Sequence, residues 1–339
     1  MEPERLPELA EAYGLGGPIE DVRSVSPRFA HVLVFRMAGH RLLAKPGYQG
    51  WDEEHRRLKF GIQDYLHDVG YPIPKVHKTL SGEPIWDPEG DGVVLTDYVG
   101  HEHDPSRKRV QCAAMARVLG WFHRVGPGAP DLGTHYWDED AGFEYSQSHV
   151  RMSRDWLRAK GLGAESHRRA TEVLEELTAT FEGVRSRLVA QAYWELPHIP
   201  IHGEFHQYHC RYEGDQVAAV VDWDTVRLAP RLHDVSRAID IGVGWSASVE
   251  DPYAFRWHLT EVPTVGDIVE WMEAYLEFGP PLSRREIELF PYVCAAMWGT
   301  AGCPGVPRSD ADMEHCGRVV DFMRFWVREA SAIQDALAS

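Results

Sequence analysis

The chain has 339 residues, enough to bury a sizeable core, and its 44% hydrophobic and 26% charged residues are the proportions of a globular protein, not of a disordered or fibrous one. Its 35 basic against 52 acidic residues give a formal charge of -17, which argues against duplex nucleic acid or an anionic membrane as partner and mildly favours a cationic ligand. No run approaches the ~20 apolar residues needed to span a bilayer, and the five cysteines at 112, 210, 294, 303 and 316 show no paired spacing.

The N-terminal MEPERLPELAEAYG lacks the basic start and apolar centre of a signal peptide, so a cytoplasmic location with reduced thiols is expected. From Pro18 to about Val99 short strands surround one helix. IEDVRSVS, HVLVFRMA and HRLLAKP read as strands separated by turn signals at Ser26-Pro27 and Ala38-Gly39. WDEEHRRLKFGIQDYLHDVG places Leu58, Ile62, Tyr65, Leu66 and Val69 at helical spacing and stops at Gly70. YPIPKVHKT is held extended by its prolines, and IWDPEGDGVVLTDYVG reads as a hairpin running into Gly100.

Beyond Gly100 the texture turns helical. VQCAAMARVLGWFHRVG and AESHRRATEVLEELTATFEGVRSRLVAQAY are predicted helices. A β-rich island, HIPIHGEFHQYHCRYEGDQVAAVVDWD, follows, and the remainder, from HDVSRAIDIG to DMEHCGRVVDFMRFWVREASAIQDALA, reads as helices. The expected architecture is α+β, with a small β-rich N-terminal lobe over residues 1–99 and a larger helical lobe over residues 100–339.

The island carries the chemistry. Its order is apolar strand, HGEFHQYH, strand, a tight turn at Glu213-Gly214-Asp215, strand, then Asp222-Trp223-Asp224. The hairpin returns the chain, so Glu204 and Asp222, 18 positions apart, are expected side by side. Phosphoryl transfer needs such a pair: one carboxylate orients or deprotonates the attacking hydroxyl, and another holds Mg²⁺ against the phosphates. A competing reading takes His202, His206 and His209 as zinc ligands, since i, i+4 and i+7 share one helical face. Gly203 and the preceding strand argue against a helix there, and zinc leaves D-W-D unexplained.

Together these segments resemble the aminoglycoside phosphotransferase family and its choline-kinase-like relatives, whose hallmark is H-G-D-x-H-x-x-N followed by an apolar strand and I-D-W-[DE]. The matching text here is IHGEFHQYH and VVDWDTVRLAPRLHDVSRAID, supported by GYPIPKV, VVLTDYVG and LGWFHRV. The resemblance implies a two-lobed, protein-kinase-like fold and ATP-dependent phosphorylation of a hydroxyl on a small molecule, such as a cationic antibiotic or amino-sugar, or on a peptide. It implies that Lys45 anchors phosphates with Glu54 (or Glu53) as its ion-pair partner, and that Asp97 and Val99 flank the adenine. Asp222 would hold the metal with His209 and Asp224, Glu204 would be the catalytic carboxylate, and His202, His206 and Asp234 would support the loop.

Two positions depart from the family pattern, glutamate at 204 for aspartate and histidine at 209 for asparagine. An imidazole suits Mn²⁺ better than Mg²⁺. The first hairpin, SVSPRFAHV, also lacks phosphate-cradling glycines, leaving Arg28 as its candidate phosphate contact. These departures motivate an alternative, a catalytically inactive pseudokinase acting as a binding or scaffold protein.

Overall fold

The computed structural model describes residues 1–25, 30–47, 52–88, 90, 92–100, 107–130, 132–133, 164–190, 193–247, 257–259, 262–301 and 310–339. Arg28 lies outside the described residues. Two compact units result, each assembled from separate stretches of chain: one from Met1–His103, Val125–His135 and Tyr208–Val226, the other from Asp104–Arg124, Tyr136–Gln207 and Arg227–Ser339. Among the described residues no helix is long and apolar enough to cross a membrane.

The first unit is built on a five-stranded antiparallel sheet. It contains β1 (Ile19–Ser24), β2 (Leu33–Met37), β3 (His40–Lys45), β4 (Ile85–Trp86) and β5 (Val93–Asp97), in spatial order β1-β2-β3-β5-β4. Strand alternation sorts its side chains. Leu33, Phe35 and Met37, with Leu42, Ala44, Val93 and Leu95, bury one face under Leu6, Leu9 and Ala10 of α1 (Leu6–Ala12). That helix was not read from the sequence: seven residues hold too few turns to show a period.

The opposite face carries Val94, packed with Phe60 of α2 (Glu53–Asp68) and with Val76. Lys45 pairs with Val94 across β3 and β5, and residues directly opposite share a face, so Lys45 is directed to the α2 side of the sheet. Asp52 caps α2 by accepting the His55 N–H at 2.7 Å. Its last turn closes with the Gly70 and Tyr71 amides on the His67 and Leu66 carbonyls. The extended segment that follows is fixed by pairing of Val76 with Thr96.

The same unit includes a hairpin of β7 (Cys210–Glu213) and β8 (Gln216–Val220), paired antiparallel across Gly214-Asp215. Its free end is tied down by the Val220 N–H on the Pro72 carbonyl at 2.8 Å and by an edge-on contact of Tyr71 with Trp223. The G-Y-P-I-P turn thus seats the strand that leads into Asp222.

The second unit is mainly helical: α3 (Lys108–Val125, all but its last residue), α4 (Ala164–Ala190), α5 (Leu232–Gly244), α6 (Val265–Phe278), α7 (Arg284–Ala301), α8 (Asp310–Arg328) and α9 (Ala330–Ala338). Leu174, Leu177, Phe181, Val184 and Leu188 of α4 recur every three or four residues and are buried, forming an apolar stripe. Thr264 and Asp267 cap α6 reciprocally. Arg231 and Glu286, both buried, form a two-pronged ion pair at 2.6 and 2.8 Å, and Arg231 also bonds the Pro280 and Pro281 carbonyls, fixing the entry to α5 against the α6–α7 turn.

Two short ladders complete this unit. β6 (His198–Ile201) pairs with β9 (Arg227–Pro230), and β10 (Trp245–Ala247) with β11 (Trp257–Leu259). The last pair falls where the sequence reads as helix, because three-residue strands offer no periodicity to detect.

Candidate active site

Residues 202–209 form bends and turns between β6 and β7, so the three histidines share no helical face and the zinc reading loses its geometry. Among the described residues no group of three or more His, Cys, Asp or Glu side chains converges as a metal cage. Two constellations are described instead, one within each unit.

In the first unit Asp222 follows β8 with φ 66° and ψ 55°, a left-handed conformation that L-residues seldom adopt and that aspartate tolerates better than most. The turn is held by the Trp223 indole N–H on the Val220 carbonyl at 3.0 Å. It aims two carboxylates at Lys45: the ammonium donates to Asp222 Oδ1 at 2.7 Å and to Asp224 Oδ2 at 2.6 Å. His209, whose carbonyl accepts the Val221 N–H, places Nε2 3.3 Å from Asp222 Oδ2. The structure therefore brings Lys45, His209, Asp222 and Asp224 together.

What α2 contributes to this cluster is Lys59, which donates to Asp224 Oδ1 at 2.6 Å. Glu54, expected beside Lys45, lies against Gly133, and the ion pairs of Lys45 are with Asp222 and Asp224. Lys59 escaped the sequence reading, although a signal existed: it sits between Leu58 and Phe60, and with Gln63 it makes a polar i, i+4 pair on the buried arc of the helix.

The charges shape one another. Burial pushes Lys45 down, but Asp222 and Asp224 outweigh it and raise it well above the ordinary lysine value. Burial outweighs the attraction of Asp224 and lowers Lys59 to about 8. Burial opposes ionisation of Asp224, yet the two ammoniums hold its carboxyl below the usual range.

In the second unit Asp234, in the first turn of α5 and fully buried, accepts the His202 N–H at 2.6 Å and the Gly203 N–H at 2.8 Å. His123 Nε2 stands 3.4 Å from the same carboxylate, and its Nδ1 bonds the Tyr275 hydroxyl at 2.9 Å. Burial would push Asp234 up, but the hydrogen bond from His123 and the nearby histidines outweigh it. His123 is itself lowered by burial, against the pull of the Asp234 carboxylate.

Gly203, whose N–H is the second of the two amides on Asp234, has φ 84°, the left-handed region that glycine adopts at little cost. His233 Nε2 lies 3.3 Å from the Gly203 carbonyl, and the Glu204 N–H reaches His202 Nδ1 at 3.4 Å. Glu204 itself keeps its side chain 42% exposed, with Arg237 Nη2 3.5 Å from Oε1. His206 is buried in the same loop. Thus His202, Glu204, His206 and Asp234 form the second constellation.

The two residues expected at the adenine lie at the end of β5. The Asp97 N–H donates to the Lys75 carbonyl at 3.0 Å, and its carboxylate meets His77 Nε2 at 2.8 Å, a hydrogen bond that lowers its carboxyl. Val99 follows, partly exposed, outside the strand.

Asp222 supplies a carboxylate of the kind that a nucleotide-bound divalent ion uses. Mg²⁺ in nucleotide sites is held through one or two carboxylates plus substrate phosphates and water, not by an all-protein cage. Asp222 offers such a carboxylate, 37% exposed at the side chain, with the His209 imidazole beside it.

The sequence matches the family model described as phosphotransferase enzyme family over residues 34–269, more than half of the chain. No curated protein gives a significant match. Among solved structures, an aminoglycoside phosphotransferase from Alicyclobacillus acidocaldarius is 13% identical, covering 96% of this chain and 93% of that one with a TM-score of 0.61. A microcompartment-associated aminopropanol kinase is 14% identical over 98% of both chains, TM-score 0.61. An AMP-bound spectinomycin phosphotransferase is 14% identical, covering 96% and 98%, TM-score 0.57. At these identities the likeness establishes the kinase-like α+β fold, while the family model runs from within β2 into α6 and includes both constellations. The chain belongs to the phosphotransferase enzyme family.

Proposed function

We propose that this protein transfers the γ-phosphate of ATP to a hydroxyl group of a small molecule. The observation that carries the reading is Lys45, at the end of β3, bonded to Asp222, the first acid of D-W-D at the end of a hairpin. A cation aimed at phosphates beside an acid suited to a divalent ion is the minimal equipment for triphosphate binding.

In the proposed reaction Lys45 holds the phosphates and neutralises charge as it shifts to the leaving group. A Mg²⁺ or Mn²⁺ ion, held by Asp222 with His209 and Asp224 near, would supply further neutralisation of the triphosphate. Glu204 orients the acceptor hydroxyl. Its oxygen bonds to the γ-phosphorus, the bond from that phosphorus to the β–γ bridging oxygen breaks, and the hydroxyl proton passes to the Glu204 carboxylate as ADP departs. Asp234, His202 and His233 keep the Glu204 loop in shape through the contacts given above.

Kinship supports a small-molecule acceptor. The aminopropanol kinase and spectinomycin phosphotransferase are named for small hydroxyl-bearing amines, and the acidic charge of -17 favours a cation of that kind, such as an antibiotic or amino-sugar. A hydroxyl-bearing peptide is the other acceptor in scope.

The deciding experiment measures ADP release with Mg²⁺ or Mn²⁺ across a panel of aminoglycosides, amino alcohols and hydroxyl-bearing peptides, for the parent protein and Glu204→Gln. Acceptor-stimulated turnover that drops roughly 100-fold or more in the variant supports the reading. ATP binding without turnover by any acceptor, unchanged in Glu204→Gln, would instead establish the pseudokinase alternative.

A further inference from the structure

Two ammonium groups meet two aspartates. Lys45 bridges Asp222 Oδ1 and Asp224 Oδ2, and Lys59 takes the other oxygen of Asp224 at 2.6 Å. The Lys59 side chain is only 3% exposed. Burying a cation is costly unless it is closely paired, and leucine or methionine would fill the same space without that cost.

The result is an asymmetry between the acids. Both Asp224 oxygens carry an ammonium, whereas Asp222 has Lys45 on one oxygen and the His209 imidazole on the other. Kinase sites that neutralise the triphosphate with two divalent ions need an oxygen ligand for each. At this site each aspartate carries an ammonium, and Asp224 carries a second one supplied by α2.

We propose that Lys59 is a built-in cation of the nucleotide site, occupying Asp224 in place of a second divalent ion, so that the protein binds ATP with one ion, at Asp222. Lys59 is then a positioning residue. It holds Asp224 as a fixed counter-charge that directs Lys45, and it spares the site an exchangeable ion. The inference rests on the nucleotide-binding reading above and adds an ion count to it.

The count is measurable on the full chain by titrating Mn²⁺ by electron paramagnetic resonance at saturating non-hydrolysable ATP analogue. The parent protein is expected to bind one Mn²⁺ per nucleotide. Lys59→Met frees an oxygen of Asp224 and should raise the count to two, while Lys59→Arg should keep it at one. Two ions in the parent protein, or one in folded Lys59→Met, would overturn the inference and leave nucleotide binding standing. No nucleotide binding by the parent protein at any Mn²⁺ concentration would overturn both. The parent count needs no variant, so a Lys59→Met protein that failed to fold would leave the test intact.

Discussion

Lys45 Nζ lies 2.7 Å from Asp222 Oδ1 although 177 residues separate them in the chain. Two independent structures make that contact: strand alternation turns Lys45 to the α2 face of the sheet, and a left-handed turn after β8 presents Asp222. Removing the charge while keeping the backbone separates chemistry from folding. Asp222→Asn is suited to this, because asparagine also tolerates the left-handed region. It should lower acceptor-dependent ATP turnover about 100- to 1000-fold with an unchanged circular dichroism spectrum. Near-parent turnover would remove Asp222 from the reaction.

Lys45→Met should weaken nucleotide binding as well as turnover. The loss of a charge-assisted contact corresponds to about 1.5–3 kcal/mol, roughly a 10- to 100-fold rise in Kd by titration calorimetry. Equal affinity in the parent and the variant would show that the triphosphate lies elsewhere.

Asp234 is a stability prediction with a kinetic counterpart. Asp234→Ala strands the amides of His202 and Gly203 in a buried setting and deprives His123 of an acceptor. Each stranded amide costs ~1–3 kcal/mol, so urea denaturation should show a loss of about 2–6 kcal/mol from the two. A loss under 1 kcal/mol would mean that water replaces the carboxylate and that the loop is not clamped.

Acid should destabilise the fold well above the carboxylate range. Burial first, and then the charge of Arg227, lower His233 to about 3, and burial lowers His123. In the unfolded chain both return to about 6.5. Below that value the unfolded chain binds more protons than the native one, so stability present at neutral pH is lost as pH falls from about 6.5 toward 3. His233 contributes up to ~1.4 kcal/mol per pH unit across that window, and His123 acts in the same direction. Asp234, also lowered, has the same sign below its ordinary value. Denaturation midpoints at pH 7.5, 6 and 5 should fall in order. His233→Gln, which keeps a donor for the Gly203 carbonyl, should flatten the slope, and a slope that does not change would refute the assignment.

Gly120 marks a close approach of α3 to the end of α6. A Cβ there would collide with the Tyr275 carbonyl oxygen and come within 2.8 Å of the Gly279 nitrogen, both backbone atoms with little room to yield. Gly120→Ala should therefore lower the thermal midpoint despite its better helix propensity, with a cost of ~1–3 kcal/mol from overpacking. A midpoint at or above the parent value would show that the helices part readily.

Local patterns in the chain were enough to define much of this protein. Alternation in HVLVFRMA and HRLLAKP set the sheet, the run from Leu58 to Val69 set α2, and the hairpin between HGEFHQYH and D-W-D was written in its turn residues. These are short-range signals, and short-range sterics enforce them. Long-range pairings remained out of reach. Nothing local says that β9 lies beside β6, that Asp234 receives the amides of a loop 31 and 32 residues upstream, or that Lys59 rather than Glu54 joins the acids. Those outcomes depend on which buried charges find partners once water is excluded, a question answered by the whole packed unit and not by any one segment.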